Sequence, residues 1–196
     1  VDAFELGFKS QFLDRRVTLN GALYWTEIGD YQTAITEQIP STVNVRQYIA
    51  NIPKVRSRGF EADLDVRASD HFALTGSVAY AKATYRNYAN APQAVERLNI
   101  SAIQDLTGQQ LPGVPKFTWT AGFHGDVPLG SHPFALTYSA DWSHRSSFNT
   151  ASSNSAWAQV PGYGVANARV GIRSDDAGWD LSIWAKNLFD KDYFTT

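Results

Sequence analysis

The chain has 196 residues, a hydrophobic share of 43% and a formal net charge of −2 at pH 7. This length suits one domain of ordinary size, and the charge balance gives no electrostatic case for binding nucleic acid. Cysteine is absent, which excludes disulfides, and no uncharged apolar run approaches the roughly 18 residues of a membrane helix.

Eight segments alternate apolar and polar residues, which is the pattern of β-strands with two different faces. In chain order they cover residues 4–10, 17–28, 57–69, 72–85, 117–127, 134–145, 163–173 and 179–187. The third segment sets an apolar face against a charged one, with Phe60, Ala62, Leu64 and Val66 opposed to Glu61, Asp63, Asp65 and Arg67. A helical period would scatter both sets around the axis, so we predict eight strands and no helix.

The predicted connections alternate between short and long. Short turns follow the first, third, fifth and seventh strands, and long connections cover residues 29–56, 86–116 and 146–162. In an up-and-down sheet, every short turn then lies on one edge and every long loop on the other. Short periplasmic turns and long extracellular loops are typical of a transmembrane β-barrel.

Aromatic residues on the apolar face recur at a spacing that fits a membrane. Phe72 and Tyr80 are eight residues apart, as are Phe134 and Trp142. In tilted strands this spacing spans about 20 Å, near the height of the apolar band of an outer-membrane barrel. A soluble antiparallel sheet with one solvated face is the alternative. Loop segregation and the aromatic rows favour an apolar face in lipid and a polar face lining a wet interior.

Five segments of the chain resemble TonB-dependent outer-membrane receptors. They lie at residues 5–32, 54–85, 111–117, 162–174 and 179–194, and the last carries the signature NLFDKDYF at 187–194. The resemblance covers nearly the whole chain. It implies an all-β, antiparallel up-and-down transmembrane barrel in the bacterial outer membrane, with eight strands of about 22 present here.

The resemblance also bears on domain organisation. We expect residues 1–196 to form the carboxy-terminal portion of such a barrel, without the amino-terminal plug domain and without the final strand. The lack of an initiator Met and of a signal peptide likewise predicts a mature piece or a fragment. Closure of a small barrel by the eight strands alone is the alternative.

The resemblance implies energised import of a scarce, bulky ligand such as an iron–siderophore complex. Its expected partners are outer-membrane lipid, lipopolysaccharide, and TonB through a region ahead of this chain. The alternative is a passive pore or a structural small barrel. A plug sequence upstream of this chain would decide between the two functions. The sequence lacks the G-x-S-x-G, H-E-x-x-H, P-loop and G-x-G-x-x-G motifs, so we predict no enzyme, no catalytic residue and no cofactor.

Metal binding is not expected either. His124 and Asp126 share the interior-facing parity, but two potential ligands are too few for a metal site. Several charged residues share the polar face, where we expect them to line the interior; they are Glu61, Asp63, Asp65, Arg67, Arg169 and Lys186. An acid pair among the three carboxylates is the weaker alternative.

Ligand contact is expected from loop or interior-facing residues close to the long-loop edge. An anionic, aromatic-rich ligand favours arginine for charge and tryptophan or tyrosine for stacking. These conditions predict the ligand-binding residues Arg46, Tyr48, Arg145, Trp157 and Tyr163. The alternatives are that Trp157 packs its own loop and that Arg145 pairs with Asp141.

Overall fold

The computed structural model describes residues 1–39, 44–174 and 176–194. Two short 3₁₀ turns lie at Val95–Arg97 and Ala156–Ala158, and within the described ranges no helix is long and apolar enough to cross a membrane. The strands are β1 Asp2–Phe12, β2 Val17–Gln38, β3 Val45–Ser69, β4 Phe72–Asn87, β5 Ala91–Pro92, β6 Ile103–Gln104, β7 Phe117–Pro128, β8 Phe134–Arg145, β9 Phe148–Asn149, β10 Gln159–Val160, β11 Tyr163–Ser174 and β12 Trp179–Ala185.

Eight of these strands form one antiparallel sheet in the order β1-β2-β3-β4-β7-β8-β11-β12. Spatial order follows chain order, so the predicted up-and-down sheet of eight strands is confirmed. The remaining strands form two small pairs, β5 with β6 and β9 with β10, inside the long loops. In the part of the chain that the structure describes, β1 and β12 each have one partner, so the sheet stays open and a barrel closed by these strands alone is wrong.

Cross-strand register makes both faces of the sheet continuous. An apolar row crosses five strands at Leu6, Leu23, Phe60, Tyr80 and Phe117. Within it, the rings of Phe60 and Tyr80 stack with their centroids 5.9 Å apart. The opposite face carries polar rows such as Asn20, Asp63, Ser77, Thr120 and Ser143. The alternation in the sequence therefore describes the two faces of the whole eight-stranded sheet, hereafter the wall, and not only of single strands.

Residues 29–56 are mostly strand, and their prediction as a long loop was wrong. β2 and β3 stay paired from Ile28 and Val55 out to Gln38 and Val45, whereas β2 pairs with β1 only as far as Glu27 and β3 pairs with β4 only as far as Lys54. This two-stranded extension is hereafter the ribbon. Asp30 adopts a φ of 53°, which interrupts the regular exchange of side chains between faces, so a period-two pattern is lost there although the strand continues.

The principal buried cluster packs the ribbon against the long loop that follows β4. Its members are Ile52, Val55, Tyr85, Tyr88, Ala91 and Leu106. The Tyr88 hydroxyl also donates a hydrogen bond to the main-chain oxygen of Ala34. This packing lies at the long-loop edge of the single-layer sheet.

The close approach of β3 and β4 at Gly59 gives a stability test. A Cβ at this position would overlap the main-chain oxygen of Tyr80 and lie 2.7 Å from the Tyr24 hydroxyl. We expect Gly59→Ala to lower the free energy of unfolding of the protein by about 1 to 3 kcal/mol, measured by urea titration.

Gly76→Ala is the matched control, because its new Cβ would meet the nearest atom, the main-chain oxygen of Thr120, at an ordinary 3.7 Å. It should unfold like the wild type. Equal losses for the two variants would contradict the close packing at Gly59.

Candidate functional site

A groove lies on the polar face near the long-loop edge, and we call it the Arg145 groove. Its volume is about 430 Å³, and its polar lining comes from β4, β7, β8, β11 and the segment after β12, with side chains of Ser77, Thr118, Thr120, Ser143, Arg145, Tyr163, Asn167, Lys186, Asn187 and Tyr193. Three residues predicted from the sequence, Arg145, Tyr163 and Lys186, therefore meet in one place.

Arg145 is held by aromatic contacts and not by an acid. Strand register puts it opposite Tyr163, and its guanidinium carbon lies 5.5 Å from the Tyr163 ring centroid. Among described residues it belongs to no ion pair, and the alternative pairing with Asp141 is not formed. Asp141 instead accepts a 2.7 Å hydrogen bond from the side-chain amide of Asn167. The positive charge of Arg145 is thus available to an anion.

The NLFDKDYF signature builds one wall of this groove. The strand predicted for residues 179–187 ends at Ala185, and Asn187 turns the chain with a φ of 52°. The Asn187 side chain donates to the main-chain oxygen of Lys191 at 3.0 Å and accepts from the Lys191 amide at 2.9 Å. The turn brings Tyr193 onto Tyr163, with ring centroids 4.8 Å apart and planes 21° apart.

Sequence reasoning recognised this signature but did not assign Asn187 or Tyr193 to a site. The main-chain amide of Asn187 donates to the side-chain oxygen of Asn167 at 3.2 Å, which ties the turn to β11. Only the signature itself could have pointed to these residues, because neither the turn nor the stack leaves a periodic pattern.

Arg46 and Tyr48 lie on the ribbon and make their contacts there. Arg46 bonds Glu37 at 2.7 Å, and the Tyr48 hydroxyl donates to the same carboxylate at 3.2 Å. Arg46 is the main cause that lowers the pKa of Glu37 below its ordinary value. Neither residue lines the Arg145 groove. The charge of Arg46 is already balanced, so it is a weaker candidate for binding an anion than Arg145.

Trp157 lies in the 3₁₀ turn at Ala156–Ala158 with 76% of its surface exposed. This exposure contradicts the alternative that Trp157 packs its own loop. Its main-chain amide donates to the Ser155 hydroxyl, which caps the turn. Trp157 is not among the residues that line the Arg145 groove.

Most of the predicted interior residues are separate from the Arg145 groove. Glu61 and Asp63 line another cavity of about 400 Å³ with Lys9 and Asn20, and in the described ranges the acids on β3 form no ion pair. The remaining predicted residues, Asp65, Arg67 and Arg169, are exposed on the polar face. No cluster of three or more histidine or acidic side chains able to hold a metal occurs among the described residues.

Arg169 is engaged at the β11–β12 edge. Its guanidinium bonds Asp180 at 2.5 Å and the Ser182 hydroxyl at 3.0 Å. Lys186 lies with its ammonium 5.3 Å from the ring centroid of Trp184 and lines the Arg145 groove.

Glu96 joins the two loops that follow β4 and β8, and sequence reasoning missed it. One carboxylate oxygen accepts from the main-chain amide of Ala156 at 2.7 Å, and the other accepts from the Ser155 hydroxyl at 2.8 Å. Gln104 adds a second link through its 2.6 Å bond to the main-chain oxygen of Ser153. A lone glutamate in a loop carries no sequence signal for a contact this distant along the chain.

These features define the class of protein. A single-layer antiparallel sheet with one apolar face, one polar face and folded loops along one edge is a segment of a β-barrel wall. Residues 1–188 match the family described as TonB dependent receptor-like, beta-barrel, and the chain belongs to this family. This match confirms the family resemblance predicted from the sequence. The members of the family are outer-membrane transport receptors and not enzymes.

Individual relatives carry siderophore-related names. The chain is 26% identical over 195 residues to the ferric-pyoverdine M114 receptor PbuA of Pseudomonas sp. (strain M114), covering 99% of this chain and 21% of that protein. It resembles the siderophore receptor PiuA of Acinetobacter baumannii at 23% identity and a TM-score of 0.70, covering 98% of this chain and 24% of that one. The ferric yersiniabactin uptake receptor FyuA of Yersinia pestis gives 17% identity and 0.69, covering 97% and 25%.

The chain thus spans about a fifth of the curated relative and about a quarter of each of these solved structures. These two structural likenesses concern the fold of the wall and its loops.

The contacts of Glu96 make the joint between the loops testable. The Ala156 amide is the main cause that lowers the pKa of Glu96 below its ordinary value. The stabilisation that the ionised Glu96 carboxylate gives to this joint should therefore be fully present above about pH 4.3, the ordinary glutamate pKa. It should be lost as the pH falls through the lowered pKa of the folded state. We expect the protection factors of the amides at residues 154–158, measured by hydrogen exchange in the full-length receptor and corrected for the intrinsic rate at each pH, to fall in that acidic range.

Glu96→Ala should accelerate the same amides at neutral pH and remove their acid response. Asp105→Ala is the control, because Asp105 accepts within its own turn from the Thr107 amide at 2.8 Å. Unchanged exchange at residues 154–158 in Glu96→Ala would show that Glu96 does not hold this loop.

Proposed function

We propose that this chain is part of an outer-membrane receptor that imports an iron–siderophore complex with energy supplied through TonB. The Arg145 groove is the observation that carries the proposal. It combines an arginine outside any ion pair among described residues with two stacked tyrosines on the polar face. An anionic, aromatic ligand can take its counter-charge from Arg145 and stack against Tyr163 and Tyr193.

The names of the relatives support the same cargo. PbuA, PiuA and FyuA are each named for a siderophore or its ferric complex, and the chain covers only part of each of them. The plug and the region that engages TonB are expected ahead of this chain. Import that continues in cells lacking the inner-membrane energy coupler would instead favour the passive pore.

The proposal places the apolar face in lipid and the ends of the strands at the two membrane surfaces. Outer-membrane lipid and lipopolysaccharide then surround the wall. The aromatic pairs on this face support this placement, because aromatic rings are enriched at membrane interfaces. The ribbon and the loops joined by Glu96 lie outside the membrane in this arrangement.

Arginine substitutions test the lipid face. Val78→Arg or Leu136→Arg should lower the stability of the receptor refolded into bilayers by about 2 to 4 kcal/mol if the site lies near mid-bilayer. Thr75→Arg is the control, because Thr75 is exposed on the polar face of β4. Losses that are equal for Thr75→Arg and Val78→Arg in bilayer refolding titrations would rule out this orientation.

Alanine substitutions in the full-length receptor test ligand capture on intact cells. Arg145→Ala should weaken binding of the receptor's ferric siderophore about tenfold, because a hydrogen bond to a charged group contributes about 1.5 to 3 kcal/mol. Adding Trp157→Ala and Tyr48→Ala should weaken it further, with Tyr48 contributing least because its hydroxyl already bonds Glu37.

Arg15→Ala is the control, because Arg15 lies in the short turn at the opposite edge of the sheet. Unchanged affinity of the triple variant at normal surface expression would exclude this set of residues while leaving the family assignment intact.

A further inference from the structure

On the apolar face, basic side chains occur next to the cross-strand row that contains Phe60 and Tyr80. On the long-loop side of the row containing Phe60 and Tyr80, register aligns Trp25 with Arg58 and Arg58 with Lys82. Arg58 and Lys82 are direct cross-strand partners on the same face, and both are exposed. Two cations therefore face each other at the border of the apolar surface.

The acids nearest to this pair among the described residues are bound or lie elsewhere on the sheet. Glu27, on the same face, is bound by Arg56 at 2.5 Å and by Lys54 at 3.2 Å. Asp2 pairs in register with Glu27 on the far side of β2, away from β4. Neither Arg58 nor Lys82 belongs to an ion pair among the residues that the structure describes. Like charges directly opposite each other destabilise an antiparallel pair, so the sheet retains a repulsion that an external anion would relieve.

We propose that Arg58 and Lys82 bind the phosphate group of a lipid headgroup in the outer leaflet of the membrane. The guanidinium offers a planar fork of donors that matches phosphate, and the lysine ammonium adds a second charge. The proposal rests on the membrane placement proposed above and adds a defined site to it.

The surroundings favour a lipid over free phosphate. The adjacent row supplies the stacked Phe60 and Tyr80 rings, an apolar surface that acyl chains can cover. On the other flank the Arg56 guanidinium carbon lies 5.2 Å from the Trp25 ring centroid. A phosphate with chains attached contacts both the cations and this apolar row, whereas a free ion contacts the cations alone.

The test compares Arg58→Gln/Lys82→Gln with the wild type in the full-length receptor purified in a neutral detergent. The probe is bis-phosphorylated lipid A, with binding followed by native mass spectrometry and the melting temperature by scanning fluorimetry. The double variant should bind lipid A about tenfold more weakly. Without lipid it should melt no lower than the wild type, because the repulsion between the two cations is gone.

Arg15→Gln/Arg16→Gln is the matched control, because it removes the same charge from the short turn at the opposite edge. Wild-type binding by this control supports a localised site, and an equal loss overturns it. Equal affinity of the wild-type receptor for dephosphorylated lipid A overturns phosphate recognition, and equal thermal protection by inorganic phosphate overturns the lipid assignment.

Failure of the membrane placement is visible separately, since Val78→Arg would then leave bilayer stability unchanged whatever Arg58 and Lys82 do.

Discussion

The antiparallel hydrogen-bond ladder is the constraint on which the rest of this structure depends. A single-layer wall has no second sheet to pack against, so its backbone groups must be satisfied by neighbouring strands. The ladder continues even where regular strand pairing stops, since loop residues accept from or donate to β4 at Ala81, Ala83 and Tyr85. Because this pairing fixes the register, it also decides which side chains form each row.

Register explains why the candidate site lies at the long-loop edge. Arg145 ends β8 and Tyr163 begins β11. The loop of residues 146–162 separates them along the chain, and strand register places them opposite each other in the sheet. The turn at Asn187 then adds Tyr193 from a third segment. Beyond the sheet, Glu96 and Gln104 connect the loops after β4 and β8. The polar wall thus provides the groove, and the joined loops display Trp157.

Much of the wall was predictable because strand alternation is a local property of the sequence. The alternation from Phe60 to Arg67 predicts an apolar and a charged face from these residues alone. The other strands follow from repeats of the same pattern. The ribbon was not predictable in this way. Asp30 breaks the alternation, and Ile52 and Val55 are buried together although their positions have opposite parity. Their burial depends on Tyr88 and Leu106 from another loop.

The sequence by itself determined the eight strands of the main sheet, its two faces, the segregation of turns from loops, and the family. It also predicted that Arg145 and Tyr163 lie near the long-loop edge, because Arg145 ends one strand and Tyr163 begins the next at positions that parity and turn length define. Only the tertiary structure decided that Arg46 is balanced by Glu37, that Glu96 spans two loops, and that Arg58 faces Lys82. Those relations depend on pairing partners distant in the chain. Local periodicity says which face a residue occupies, but the residue opposite it is set by register.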